Sequence, residues 1–353
     1  MKIAIVGDCH FGCRNDSLHF HNYYKKFYEE VLFPTLKGMR ITEIIQLGDL
    51  FDRRKYINFN TLYLSKQYFF DLLEQNGIEL VTLVGNHDIF FKNTLKVNSI
   101  ELTLREYHNI HVITNPETIK FGDVSIDLIP WICEENEQEV MDFISNSNSQ
   151  ICAGHFELAG FEMDRGNICH EGMDRSILAK YDVVLSGHFH HKSSSGNIHY
   201  VGTPGEMTWS DYNDKRGFHI FDTETRELTF IENPFKMFHK IIYNDDQETI
   251  ETVKSKNFSK YTGTIVKVIV AKKIDPYLFD VFMDKVYKSQ PYDVSIVEDF
   301  TDYTQISDED VIDQADDTMT TLSKYVDSLQ IDLDKEKLKT YMREVYVEAH
   351  ARQ

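Results

Sequence analysis

A short apolar, β-branched run that stops beside glycine at Asp, Asn or His occurs five times in this chain. Lys2–Val6 stops at Gly7–Asp8 and Glu43–Leu47 stops at Gly48–Asp49. Glu79–Val84 runs into Gly85–Asn86–His87–Asp88, Gln150–Ala153 into Gly154–His155, and Asp182–Leu185 into Ser186–Gly187–His188–Phe189–His190. Near-continuous apolar runs of this length read as strands buried on both faces, as parallel sheets require. In layered α/β folds ligands sit beyond the carboxyl ends of such strands. Glycine there lets the backbone turn sharply and turns a neighbouring side chain into the crevice.

Between these runs, Tyr23 to Leu36 and Thr61 to Gln75 carry apolar residues at spacings of three and four, which predicts helices. Asp123–Ile129, His199–Val201, Gly217–Phe221 and Glu227–Ile231 read as further strands. The expected architecture is α/β, a two-sheet sandwich with helices outside.

A chain of 353 residues exceeds one small core. Composition shifts after Pro234, which divides residues 1–235 from 236–298. From Phe238 to Glu298 the pattern reads strand, helix, strand, helix, strand, with strands at His239–Tyr243, Gly263–Ala271 and Asp293–Val297. Glu298 to Asp317 has no Lys or Arg and nine Asp or Glu, so 299–317 reads as a solvated acidic linker. Residues 318–353 would close the chain with two amphipathic helices, Thr318–Leu329 and Asp334–Ala349.

A hydrophobic content of 42% excludes a disordered chain. No basic region and longer apolar stretch open the sequence, so no secretory signal is expected, and no window approaches the ~20 apolar residues of a membrane span. Five scattered cysteines without a Cys-x-x-Cys suggest reduced thiols in a cytoplasmic compartment. The formal net charge of -20, taken alone, argues against nucleic-acid binding.

Singly, the strand-end residues have ordinary readings. Asp8-x-His10 could cap a strand, Gly48–Asp49 could be a turn, and His155 could be a satisfied core histidine. His188 and His190 are stronger, because residues two apart on extended backbone point the same way. In order, Asp8, His10, Asp49, Asn86, His155, His188 and His190 offer two carboxylates, one amide oxygen and four imidazoles. That mixed set suits Mn, Fe, Zn or Co better than Mg or Ca, which prefer oxygen alone. With one bridging carboxylate it could hold two ions ~3.5–4 Å apart.

The series resembles that of the calcineurin-like metallophosphoesterases. Gly48–Asp49–Leu50–Phe51–Asp52, Val84–Gly85–Asn86–His87–Asp88, Gly187–His188–Phe189–His190 and Tyr200–Val201–Gly202–Thr203–Pro204 resemble the SbcD-type DNA nucleases in particular. The resemblance covers roughly residues 1–210. It implies a four-layer sandwich carrying the nuclease site, a small α/β capping domain that binds DNA, and a C-terminal helical segment that binds a partner.

It also implies one metal on Asp8, His10, Asp49 and His190, a second on Asp49, Asn86, His155 and His188, and Mn²⁺ as the ion. His87 would face the scissile phosphate and protonate the leaving oxygen, and Asp88 would orient His87 by a hydrogen bond. Asp52 stands where some family nucleases carry histidine, and an ionised carboxylate cannot donate to phosphate. The resemblance further implies 3′-to-5′ exonuclease action on duplex DNA with single-strand endonuclease action in recombination and repair. It implies an SbcC-type coiled-coil ATPase partner, a homodimer within a heterotetramer, and a cytoplasmic or nucleoid-associated location.

Arg53–Arg54–Lys55 follows the second motif and could grip DNA phosphates or be exposed loop charge. The stretch Thr61–Gln75 could be a homodimer face or ordinary core packing. The terminal helices could dock the ATPase or pack on the body of the chain. Two rival readings keep the fold: a stand-alone phosphoesterase for small phosphoesters or phosphoproteins, and a scaffold without chemistry. A third, an unrelated α/β binding protein, would make the motif series coincidence.

Overall fold

The computed structural model describes residues 1–164, 167–298, 335 and 337. Apart from Lys335 and Lys337, the acidic run 299–317 and the helical segment 318–353 lie outside the described residues. The chain divides into two compact units between Met237 and Phe238.

In chain order the first unit carries β1 (Lys2–Val6), β2 (Glu43–Gln46), β3 (Glu79–Leu83), β4 (Ile110–Ile113), β5 (Glu117–Phe121), β6 (Val124–Ile129) and β7 (Ile151–His155). There follow β8 (Glu162–Asp164), β9 (Asn167–Ile168), β10 (Val183–Gly187), β11 (Ser193–Ser195), β12 (Ile198–Tyr200), β13 (Gly217–Asp222) and β14 (Leu228–Glu232). One six-stranded sheet has the order β14-β13-β1-β2-β3-β4 and the other β11-β12-β10-β7-β6-β5. β1 to β4 run parallel, as the apolar runs predict, and β13 joins β1 antiparallel.

Alternation along the strands builds the layers. Ile3, Ile5, Ile45 and Leu47 of the first sheet share a core with Ile126, Leu128, Ile151 and Leu185 of the second. The opposite face of the second sheet, through Cys152, Val184 and Tyr200, packs on Val140 and Ile144 of the helix Glu137–Asn146. The first sheet is covered by helical residues 18–39 and 59–75. Each stretch contains one wide π-helical turn, Tyr28–Leu32 and Lys66–Phe70, which apolar spacing does not reveal. These turns bring Tyr28 and Tyr68 into a stack at 5.9 Å, and Phe11 packs within 5.5–6.0 Å of Tyr28, Tyr68, Phe69 and Phe70. Burying Phe11 contributes about 1.5–3 kcal/mol and anchors the loop that carries His10.

Sequence pattern misses β4, β5 and the helices Ser99–Leu104 and Glu137–Asn146. β4 and β5 are the edge strands of their sheets and expose His111, Thr118 or Lys120 in part, so neither reads as a continuous apolar run.

The second unit holds β15 (Phe238–Asn244), β16 (Ile265–Lys272) and β17 (Asp293–Glu298), all parallel. Tyr243, Val266 and Val268 pack against Val253, Phe282 and Val286 of the helices Ile250–Ser255 and Pro276–Lys288. The longer helix starts where Asp275 accepts from the N–H groups of Tyr277 and Leu278, with Pro276 next. Among the described residues, no helix is long and apolar enough to cross a membrane, and all five cysteines are free and buried.

Candidate metal centre

Parallel register gathers the strand ends. Ala4, Ile5 and Val6 pair with Ile44, Ile45 and Gln46, so the loops after β1 and β2 leave side by side. In the second sheet Gly187 pairs with His155, which sets His155 beside the His188–His190 loop. Buried Gln46 ties the first three strand ends together. Its Nε2 donates to the carbonyls of Gly7 (3.3 Å) and Gly48 (2.5 Å), and its Oε1 accepts from Thr82 Oγ1 (2.6 Å) and Gly48 N (3.1 Å).

Glycine is required where the loops touch. Gly48 has φ +97°, and a Cβ there would lie 2.4 Å from His155 Nδ1. His10, Asp49 and His188 also sit at positive φ, 45°, 51° and 83°. Such conformations cost about 1–3 kcal/mol each and persist where surrounding structure enforces them, commonly at functional sites.

Two groups of side chains result. Asp8, His10 and His190 bring one potential ligand atom each to within 4.8 Å of one another, and so do Asp49, His155 and His188. In the first group His10 Nε2 and His190 Nε2 are 3.1 Å apart, and His190 Nε2 is 4.0 Å from Asp8 Oδ2. In the second, Asn86 Oδ1 lies 2.9 Å from both His155 Nε2 and His188 Nδ1, and His155 Nε2 is 3.4 Å from Asp49 Oδ2. Asp49 Oδ2 is also 3.8 Å from His10 Nε2, so this carboxylate stands between the groups.

Main-chain atoms orient several of these side chains. His155 Nδ1 donates to the Leu47 carbonyl at 2.6 Å, which leaves the Nε2 lone pair facing the cluster. Asp8 accepts from His188 N at 3.0 Å, and Asp49 Oδ1 accepts from His87 N at 2.7 Å. The Trp131 ring stands 5.1 Å from His188 and 5.8 Å from His155. Sequence reasoning missed the carbonyl of Leu47, because a main-chain acceptor leaves no residue-type signal.

The electrostatics are those of a site built around cations. Burial pushes the Asp8 carboxyl up to about 8, against the pull of His155. Asp49 is held well below the usual carboxylate range: burial raises it, but His155, His87 and His10 win. Burial takes His188 down to about 3 and lowers His10 and His190, which keeps these imidazoles neutral, the form that binds metal. Burial also pulls on His155, but Asp49 and then Asp8 and Leu47 O raise it to about 9. The lowered imidazoles of His10, His188 and His190, the buried carboxylates and the Asn86 amide oxygen converge on one cleft and fit divalent ions, and a bound cation would displace the proton that Asp49 favours on His155.

His87 lies over the first group, its ring 4.8 Å from that of His10 and perpendicular to it. Its ring partner differs from the one the resemblance implied. His87 Nδ1 donates to the main-chain carbonyl of Asp52 at 2.6 Å. The Asp88 carboxylate turns inward and accepts from the N–H groups of Gly85 (2.9 Å), Leu50 (3.1 Å) and Phe51 (3.1 Å). Asp88 therefore braces the loop after β3 against the loop after β2. The cause is the tight turn at Gly85, where Asp88 N donates back to Gly85 O. Burial lowers His87, but Asp49 and the Asp52 carbonyl raise it overall.

Asp52 has a second contact, its Oδ1 lying 3.5 Å from His10 Nδ1. Arg53 Nη1 donates to Tyr56 Oη and lies 3.8 Å from Asp16 Oδ2, while Nη2 donates to Asn15 Oδ1. It thus joins two loops of the protein itself. Arg54 is half-buried and Lys55 exposed.

Fold and site together define a metallophosphoesterase, with phosphoryl chemistry at the strand ends of a two-sheet sandwich. The chain belongs to the calcineurin-like phosphoesterases, whose family model matches residues 1–192, and it is a metal-dependent phosphoesterase. It is 34% identical over 354 residues to exonuclease subunit 1 of Enterobacteria phage T4, covering 99% of each chain. It is 25% identical over 252 residues to the SbcD subunit of the SbcCD nuclease of Staphylococcus epidermidis, covering 62% of this chain and 66% of that one. The corresponding protein of Staphylococcus saprophyticus is 23% identical over 299 residues, 73% of this chain and 77% of its own.

Proposed function

We propose that this protein is the nuclease subunit of a DNA-end-processing complex, hydrolysing phosphodiester bonds with two divalent ions. The observation that carries the reading is the pair of ligand groups on either side of Asp49, in a chain similar end to end to a subunit named as an exonuclease. One ion would be held by Asp8, His10, Asp49 and His190, the other by Asp49, Asn86, His155 and His188. Their mixed Asn, Asp and His donors suit Mn, Fe, Zn or Co, and the family resemblance makes Mn²⁺ the ion proposed. When bound, the pair supplies Lewis-acid charge for the phosphate and a water acidic enough to attack near neutral pH.

The chain's own residues do the rest. Asp49 lies between the two groups and would fix their separation. His87, with Nδ1 committed to Asp52 O, would turn Nε2 to the phosphate and give its proton to the leaving alkoxide. Asp52 supplies the carbonyl that fixes this ring and a carboxylate beside His10. Asp88 holds the loop that carries His87.

DNA would be the substrate, by 3′-to-5′ exonuclease and single-strand endonuclease action. The partner would be an SbcC-type ATPase, in keeping with the two staphylococcal relatives, each named as one subunit of an SbcCD nuclease. The unit that begins at Phe238 would serve as a DNA-binding domain. Homodimerisation would use the stretch Thr61–Gln75, of which Tyr63 is exposed while Tyr68, Phe69, Phe70 and Leu73 are buried in the core. Arg54 and Lys55 would be the members of the 53–55 triplet open to phosphate, since Arg53 is engaged by Tyr56 and Asn15.

The test is digestion of end-labelled duplex DNA with Mn²⁺ by wild type and His87→Ala, beside a small phosphodiester. Duplex digestion falling about 10²–10⁴-fold in the variant is expected. Hydrolysis of the small ester with DNA untouched, even with the ATPase present, would leave a general phosphoesterase.

A further inference from the structure

His190 lies at the more open side of the centre, its side chain about one-third exposed. Among the described residues its ring has one neighbour in hydrogen-bond range, His10 Nε2. No main-chain acceptor among them fixes it as Leu47 fixes His155. Its position must therefore come from its own backbone.

That backbone is gripped by a buried arginine. Arg216 is 2% exposed, and its Nη1 donates to the His190 carbonyl and to Thr203 Oγ1 (2.8 Å). Its Nη2 faces Asp211 Oδ1 at 2.8 Å and Asp214 Oδ2 at 2.7 Å. Asp214 Oδ2 also accepts from His191 Nδ1 at 2.8 Å, so the residue after His190 is held by the same carboxylate. Asp211 Oδ2 accepts from the N–H groups of Met207 (2.7 Å) and Thr208 (2.9 Å), which fixes the far end of the fork. Thr203 N adds a second donor to the His190 carbonyl at 3.2 Å. Gly202, at φ +71°, lets the chain pass so close that a Cβ would stand 2.8 Å from that carbonyl.

A buried guanidinium is costly unless every donor is answered, and lysine cannot reproduce its planar fork. Here two carboxylates meet Nη2, and Nη1 is spent on Thr203 and on the peptide that carries His190, while Nε has no hydrogen-bond partner among the described residues. We infer that Arg216 is a positioning residue for the metal centre, acting through the His190 main chain on one ion of the two. The inference rests on the two-metal reading above. Its selectivity follows from the wiring: Arg216 grips the His190–His191 segment, whereas His155 of the other group is fixed by the Leu47 carbonyl and the β7–β10 pairing.

The experiment is Mn²⁺ titration calorimetry on the metal-free full chain, with thermal unfolding in parallel, for wild type, Arg216→Lys, Asp214→Asn and His190→Ala. Wild type should take two ions. Arg216→Lys should keep one at wild-type affinity and bind the other about 10–100-fold more weakly. His190→Ala should weaken the same ion. Asp214→Asn, which keeps the Arg216–Asp211 pair, should weaken it in the same direction by less. A folded Arg216→Lys that binds both ions like wild type, or weakens both equally, overturns the inference. If Arg216→Lys does not fold, the same two patterns in Asp214→Asn decide it. Wild type that takes two ions but leaves DNA intact would fail the nuclease reading and leave the Arg216 result standing. Wild type that takes fewer than two would overturn both.

Discussion

His155 and His190 face the same cluster from opposite surroundings. His155 is fully buried on a central strand, paired in register with Gly187, and its ring is fixed by a main-chain carbonyl. His190 is partly exposed beyond the end of its strand, and its carbonyl rather than its ring is held. One of these ligands is thus part of a strand in the sandwich core, and the other is mounted on a loop braced from outside. Strand-borne ligands couple metal binding to the stability of the fold. Loop-borne ligands can be lost with less damage to it.

The hardest test of that contrast is Asp49, the residue common to both groups. Asp49→Ala should abolish tight binding of both ions and lower turnover by about 10³-fold or more, given the several kcal/mol that bound metal contributes to the transition state. Calorimetric titration with Mn²⁺ beside a rate assay checks it. Retention of one ion at full affinity would show that the two groups are independent and that Asp49 bridges nothing.

Next in size is the comparison itself. His155→Ala and His190→Ala should each lose one ion. Only His155→Ala should also destabilise the metal-free protein, by about 2–4 kcal/mol, because it opens a cavity and strands the Leu47 carbonyl. His190→Ala should stay within about 1 kcal/mol of wild type. Denaturant unfolding of the metal-free variants reads the difference. Equal losses would mean that the two sides are built alike.

A smaller effect is expected at the brace between the loops. Asp88→Asn replaces the carboxylate that accepts three N–H groups with an amide that has one acceptor oxygen, and should cost about 1–3 kcal/mol. His87 should keep its bond to the Asp52 carbonyl. The expected outcome is lowered stability with kcat reduced far less than in His87→Ala. A loss of rate equal to that of His87→Ala would return Asp88 to the ring-orienting role that the resemblance implied.

The same contrast explains what the sequence could disclose. Strand ends rich in Gly, Asp, Asn and His are a residue-type signal, so the two-sheet fold was legible from five short runs. The seven residues expected to bind metal do lie together at the strand ends. What holds them was not legible. The Leu47 and Asp52 carbonyls are main-chain atoms that any residue would offer. The left-handed φ of His10, Asp49 and His188 is imposed by neighbours, not by propensity. Arg216 lies 26 residues beyond His190, where no spacing rule connects them. The π-helical turns that build the aromatic anchor under Phe11 widen a helix locally while its apolar spacing still reads as ordinary.

A histidine buried away from any ligand supplies the smallest test, and it sharpens the comparison by removing metal from it. His219 on β13 is 4% exposed, with its ring 5.0 Å from that of Phe230. Burial, reinforced by Lys192 and His199, takes it down to about 3. Its folded value lies below the ordinary 6.5, so the unfolded chain binds the proton more readily. The stability it contributes is therefore complete above pH 6.5 and is lost as pH falls toward 3. Between pH 6.5 and 5.5 the loss should be about 1 kcal/mol. His219→Phe should remove that increment from the pH dependence of unfolding, whether or not Mn²⁺ is present. If the increment instead vanished only on adding metal, the acid sensitivity would belong to the histidines of the centre. Their burial, too, would then have to be counted as a cost that bound cations offset.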